Sequence, residues 1–308
     1  MFFTSLLNAL PGAAAQGLIW GIMAIGVYLT FRVLSISDLT VDGSFATGGA
    51  VCVMLIRAGL DPWLAVLCAV ASGMLAGLVT GLLHTRCGIP AILSGILTQL
   101  ALYSVNLRIM GSKSNQAVSV DKYPLIVSMR YVRTAEHNPF PVIIIMIAVL
   151  IALLYWFFGT ELGSSIRATG ANPNMARAQG INTDRNIVLG LTLANGLVAL
   201  SGAIIAQYQG SADVNMGRGA IVIGLASVII GEVLFGKVFR SFALKLLYVA
   251  IGSVIYYLVI QVILQLGLNT NDLKLMTALL VALFLGIPYW RSKAARPRSE
   301  KKGASENA

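Results

Sequence analysis

Residues 138–160 read NPFPVIIIMIAVLIALLYWFFGT, twenty-three consecutive positions without a charged side chain. A bilayer core about 30 Å thick is crossed by a helix of about 20 apolar residues, so this stretch has the length and polarity of a membrane span. Charge-free windows recur at 1–31, 62–83, 87–107, 186–212, 246–271 and 275–290. Two shorter ones, 43–56 and 219–231, are flanked or interrupted by Gly and acidic residues. A backbone in lipid must satisfy its own hydrogen bonds, and no alternating barrel pattern is present, so the windows predict helices. The expected fold is an all-α integral membrane protein with about nine spans or partial spans, near 14–33, 39–57, 63–83, 89–108, 140–159, 185–208, 219–236, 242–265 and 273–290. Residues 1–290 form one transmembrane domain and 291–308 a basic tail. Composition agrees: 57% of the 308 residues are hydrophobic and 11% charged, against roughly 25% charged in soluble domains, and the mean hydropathy is +0.82. The first window lacks the basic start of a signal peptide, its first cation being Arg32 at the far end, and is read as a retained span.

Cytoplasmic loops carry the excess of Lys and Arg. With the N-terminus outside and the C-terminus inside, fourteen of the 22 cations fall on the cytoplasmic side, among them Arg32, Arg86, Arg167, Arg177, Arg185, Lys245 and the cluster after Trp290. Five of the other eight, Arg108, Lys113, Lys122, Arg130 and Arg133, share one external segment. The net charge of +10 thus reflects topology. The basic tail is read as attracted to anionic membrane lipid, not to nucleic acid. Cys52, Cys68 and Cys87 lie in or beside spans without ligand spacing and are read as small apolar residues. His84 and His137 fall on opposite sides, so no metal site is expected.

Small residues four apart, Gly17 and Gly21, then Gly73, Gly77 and Gly81, mark faces where helices pack closely within the chain. Gly231, Gly236 and Lys237 have P-loop spacing, but Val238 stands where Ser or Thr must hold magnesium and no strand precedes them. His-Glu-x-x-His and Gly-x-Ser-x-Gly signatures are absent. No catalytic residue is assigned, and any transport driven by ATP requires hydrolysis on a separate subunit.

The longest cytoplasmic loop, 160–185, contains GSSIRATGANPNMARAQGIN at 163–182. Asn172 is an N-cap, Pro173 suits the first helical position, and Gly180 is a left-handed terminator. These encode a short helix with a small apolar surface from Met175, Ala176 and Ala178, while Arg167 and Arg177 suit acidic or phosphate-bearing partners. So short a helix buries too little area to anchor in lipid, which favours a protein partner.

The two short windows point to a solute path, because interrupted segments in corresponding halves mark midplane sites. Asp38 to Gly43 precedes one and Asp213 to Gly219 the other, on opposite sides, as an inverted repeat requires. Asp38 and Asp42, four apart, would share a helix face. They either offset a helix dipole at the membrane edge or, with Asp213, serve the pathway or its gate. Glu232 is expected to pair with Lys237 or Arg240, and Asn195, Gln99, Tyr103 and Asn106 either line a path or bond between helices.

The 163–182 loop with the following INTDRNIVLGLTLANGLVALSGAIIAQYQG, and the opening GLIWGIMAIGVYLTFRVLSISDLTVDGSFATGGAV, resemble the bacterial ABC importer permeases for branched-chain amino acids, ribose and related solutes. The DLTVDGSF run is similar to the branch associated with tryptophan and tyrosine uptake, and differs from the polar run of branched-chain members, which counts against leucine. The resemblance implies a multi-pass permease of the bacterial inner membrane. It implies a second permease subunit as homodimer partner, two ABC ATPase subunits that hold the ATP and magnesium, and an extracytoplasmic solute-binding protein. The chain would hold no cofactor of its own. The expected solute is an aromatic or other hydrophobic amino acid, with a sugar or nucleoside as the alternative.

Overall fold

A computed structural model describes residues 2–132, 138–236, 238 and 241–265, together with 275, 277–279, 281–283 and 286. The basic tail, most of the last expected span, His137, Lys237 and Arg240 lie outside the described residues. The chain is helical: α1 (Phe2–Tyr28, continuing as a π-turn over Leu29–Val33), α2 (Thr40–Arg57), α3 (Pro62–Thr85), α4 (Ala91–Ile109), α5 (Pro139–Gly159), α6 (Glu161–Ala171), α7 (Pro173–Ala178), α8 (Thr183–Gln209), α9 (Ala220–Phe235) and α10 (Phe242–Gln265). Two short strands, β1 (Asn115–Ala117) and β2 (Ser211–Asp213), pair antiparallel as a ribbon at one end of the bundle. At the opposite end α5, α6, α7 and α8 form a crook. Among the described residues six helices are long and apolar enough to cross a membrane: α1, α3, α4, α5, α8 and α10. The helices of the two shorter windows, α2 with 18 residues and α9 with 16, are shorter and more enclosed.

The glycines explain the packing, because in lipid close van der Waals approach replaces the hydrophobic effect. A Cβ on Gly73 would strike Ala199 and Asn195 of α8, and one on Gly77 or Gly81 would strike Leu191 or Val188. Successive residues of α3 thus meet earlier residues of α8, and the two run antiparallel. Gly17 and Gly21 do the same against Val254 and Ala250 of α10. Both spacing-four faces pack within the chain.

The central pair is α1 and α8, antiparallel, with Gly26 against Ala194 and Ser201 Oγ donating to Ile19 O at 2.8 Å. On this pair each half places its short helix against the other half's long one. Gly48 of α2 meets Ala199 and Gly202 of α8 meets Phe45, while Gly224 of α9 meets Met23 and Val27 of α1. Exchanging α1 with α8, α2 with α9 and α3 with α10 maps the main helix contacts onto themselves with direction reversed. The chain is an inverted repeat whose short helices are swapped between halves.

The connectors show why α2 and α9 are short. After α1, Ser35 at φ 56° turns the chain back, and after α8, Gly210 at φ 74° does the same. Each connector then runs back into the bundle. A Cβ on Gly95 of α4 would lie 2.8 Å from Leu39 N, and one on Gly43 would lie 3.1 Å from Gln99 Cα. Gln99 is near the midpoint of α4, so α2 begins well inside the bundle. Thr40, Thr80 and Thr98 link α2, α3 and α4 through hydroxyl bonds of 2.7 and 2.9 Å, each worth about 0.6 kcal/mol in a membrane interior.

Glu232 pairs with Arg32, because α9 runs parallel to α1 and brings its end to the π-turn; its expected partners Lys237 and Arg240 lie outside the described residues. One expectation is corrected. Asp38 and Asp42 do not share a helix face: α2 starts at Thr40, leaving Asp38 in the connector. Gly231, counted in the P-loop spacing, lies inside α9 against Tyr248 O.

Candidate functional site

Where the two connectors meet, Asp42 joins them. Its Oδ2 accepts from Gly219 N at 2.9 Å and its Oδ1 from Ile221 N at 3.0 Å. A carboxylate in the first turn of α2 therefore caps α9, where unpaired N–H groups and the positive dipole end favour an anion. Gly217 fits against Asp42 O with no room for a side chain. One layer away Asp38, 2% exposed, accepts from Thr40 N at 2.9 Å and from Asn195 Nδ2 at 2.6 Å, and Asn195 Oδ1 accepts from Ser44 at 2.7 Å. Asp38 is thus an internal strut between α2 and α8.

Beside Asp42 opens a cavity of about 340 Å³. Its polar lining is Asp42, Gln99, Tyr103, Asn106 and Arg218, and Leu100, Ala46 and Val214 supply apolar surface. Gln99, Tyr103 and Asn106 lie on one face of α4, at spacings of four and three. Asn106 is 1% exposed and its Oδ1 has no hydrogen-bond partner among the described residues. None of the ion pairs between described residues engages Arg218. Asp213 lies outside this group: it pairs with Asn115 in the ribbon and accepts from Asn215 N at 2.7 Å. From its sequence position Arg218 is simply one of the eight cations outside the cytoplasmic set. The one available signal was its place in the Gly-rich connector before a short apolar window.

The crook is the second feature. Thr160 ends α5 by donating to Phe157 O at 2.6 Å and starts α6 by accepting from Gly163 N at 3.3 Å. Asn186 of α8 donates to Thr169 Oγ1 at 2.9 Å, and Gly170 packs on Val33 O of the π-turn. The 160–185 segment is thus two helices, anchored to both α1 and α8. Asn172 Oδ1 accepts from Met175 N at 3.1 Å, Pro173 holds the first position of α7, and Gly180 has φ 78°. Arg177 Nε donates to Thr183 Oγ1 at 2.7 Å, and its guanidinium lies 3.4 Å from Asp184. Arg177 therefore ties α7 to the start of α8. Met175 is left 64% exposed. Arg167 lies 5.5 Å from the centre of the Phe242 ring. Among the described residues no group of three His, Cys, Asp or Glu could hold a metal.

Residues 10–294 match the pattern of the family described as branched-chain amino acid transport system, permease component. The chain belongs to that family. It is 39% identical over 279 residues to the tyrosine transport system permease protein of Clostridioides difficile, covering 91% of each. It is 28% identical to the ribose import permease protein of Escherichia coli, over 75% of this chain and 70% of that one. A solved structure titled PsaBC from Streptococcus pneumoniae in complex with Fab has the same fold, with a TM-score of 0.54 at 16% identity, over 92% of this chain and 94% of that one. The protein is a multi-pass membrane permease component of a transport system.

Proposed function

We propose that this chain is the permease subunit of an ATP-driven importer in the bacterial inner membrane, and that its solute is an aromatic or other hydrophobic amino acid. Two copies would pair, two ABC ATPases holding ATP and magnesium would dock from the cytoplasm, and an extracytoplasmic binding protein would deliver the solute. The crook carries this reading. A helix of six residues, capped at both ends and clamped to the next span, cannot stretch or slide, so a push on it reaches α8 and α1. The described cations assigned to the inside, Arg32, Arg86, Arg167, Arg177, Arg185 and Lys245, gather at the crook end, which supports placing that end in the cytoplasm. Arg167 and Met175 then face the partner, while Asn172, Pro173, Arg177 and Gly180 set the shape of the lever. Asp42 belongs to the pathway, and Asp38 and Asp213 hold its two connectors. The solute class is supported by the similarity to a tyrosine transport system permease.

The test is reconstitution. Membrane vesicles with the intact complex and its binding protein should concentrate labelled tyrosine or tryptophan on ATP addition, and the chain should co-purify with an ATPase. The purified chain alone should hydrolyse no ATP. ATP turnover by the isolated chain, with contaminating ATPases excluded, overturns the mechanism, and accumulation of ribose but no amino acid overturns the solute class.

A further inference from the structure

We propose that the cavity beside Asp42 is a station for the zwitterionic head of an amino acid, with Arg218 taking the carboxylate and Asn106, beside Asp42, taking the ammonium group. The proposal rests on the importer reading and adds that this chain, and not only a binding protein, recognises the solute. The cavity's volume of about 340 Å³ falls in the roughly 300–1,000 Å³ range of small-molecule sites. The polar groups come in opposite kinds. Asn106 lines the cavity, and its carbonyl oxygen is closed off from solvent with no partner among the described residues; such an orphan costs stability until the amide rotates to the cavity and a ligand or water fills it. An ammonium, with three donors and no acceptor, satisfies it.

Asp42 contributes negative potential on the same side. Its oxygens accept one N–H each, from Gly219 just before α9 and from Ile221 within it, which leaves further lone pairs, since a carboxylate offers about four acceptor sites. Arg218 is the one cation of the lining, and its planar fork suits a carboxylate. Leu100 and Tyr103 offer apolar and aromatic surface for a side chain. A sugar's hydroxyls can donate to Asn106 but bring no anion to match Arg218.

The experiment uses the full chain in liposomes with Cys52, Cys68 and Cys87 replaced by Ser or Ala, carrying Leu100→Cys at the exposed rim of the cavity. The rate of modification by a small thiol reagent is followed against increasing L-tyrosine, tyramine (no carboxylate), N-acetyl-tyrosine (no ammonium) or ribose. Tyrosine should protect at the lowest concentration. Arg218→Gln should raise the half-protecting concentration of tyrosine about tenfold, the usual order for losing a charged hydrogen bond, and leave tyramine unchanged. Asn106→Leu should weaken tyrosine and tyramine together and leave N-acetyl-tyrosine unaffected. Equal protection by tyrosine and tyramine, or no effect of either substitution, overturns the station. ATP-driven tyrosine uptake in vesicles of the unmutated complex is measured alongside. Uptake without protection sinks the station and leaves the importer reading standing, whereas absent uptake sinks that reading.

Discussion

Asp42 serves two helices at once: it sits in the first turn of α2 and satisfies two N–H groups at the start of α9. An apolar replacement strands both donors, at about 1–3 kcal/mol for each buried unsatisfied group. Asp42→Leu should therefore lower the melting temperature of the solubilised protein clearly, and Asp42→Asn, which keeps one acceptor, by less. Scanning fluorimetry would show this, and indistinguishable melting of the two variants would mean that the carboxylate is not the cap. Asn195→Leu removes a 2.6 Å donor from the buried Asp38 and should cost about 1.5–3 kcal/mol, the range for a hydrogen bond to a charged group. In sequence both carboxylates look like dipole-offsetting residues at one helix start. That reading holds for Asp42, but for the start of a helix 177 to 179 residues further on, which local spacing cannot reveal.

At the scale of elements, two glycines separate conformational cost from steric cost. An added Cβ at Gly180 meets nothing within 4 Å, so the penalty of substitution is that of φ 78° alone, about 1–2 kcal/mol for an ordinary residue and worst for a β-branched one. Gly180→Val should reach the membrane at normal abundance yet lose most ATPase recovery and uptake, and Gly180→Asn, a residue that tolerates this region, should retain both. Full function in the valine variant would remove α7 from the coupling role. Arg177→Glu gives up the bond to Thr183 and faces Asp184, so it should impair uptake more than abundance. Gly77 is the opposite case. Its Cβ would meet the α8 backbone at Leu191, and Gly77→Leu should abolish accumulation of folded protein, as judged by size-exclusion chromatography of the membrane extract.

At the scale of the whole molecule, the ribbon and the crook lie at opposite ends of the bundle, which the proposed orientation turns into outside and inside. In a Cys-free background Val120→Cys should react with an impermeant reagent from outside only and Met175→Cys from inside only. Labelling of position 175 from outside would sink the docking argument. The membrane class, the identity of most helices, and the cap, proline and terminator of α7 were legible in the sequence alone. Each is decided by residues within a few positions of one another: charge-free length sets a span, an Asn-Pro pair starts a helix, and glycine tolerates a left-handed turn. The spacing of Gly17 and Gly21 and of Gly73, Gly77 and Gly81 likewise announced helix contacts. Only the tertiary structure decided which helices those glycines meet, that α2 and α9 are exchanged between halves, and that Arg218 joins Asp42, Gln99, Tyr103 and Asn106 around one cavity. These facts depend on where connectors re-enter the bundle. That is fixed by long-range pairings, Asp42 with Gly219 and Ile221 and Asp38 with Asn195, whose partners lie more than 150 residues apart and leave no local pattern.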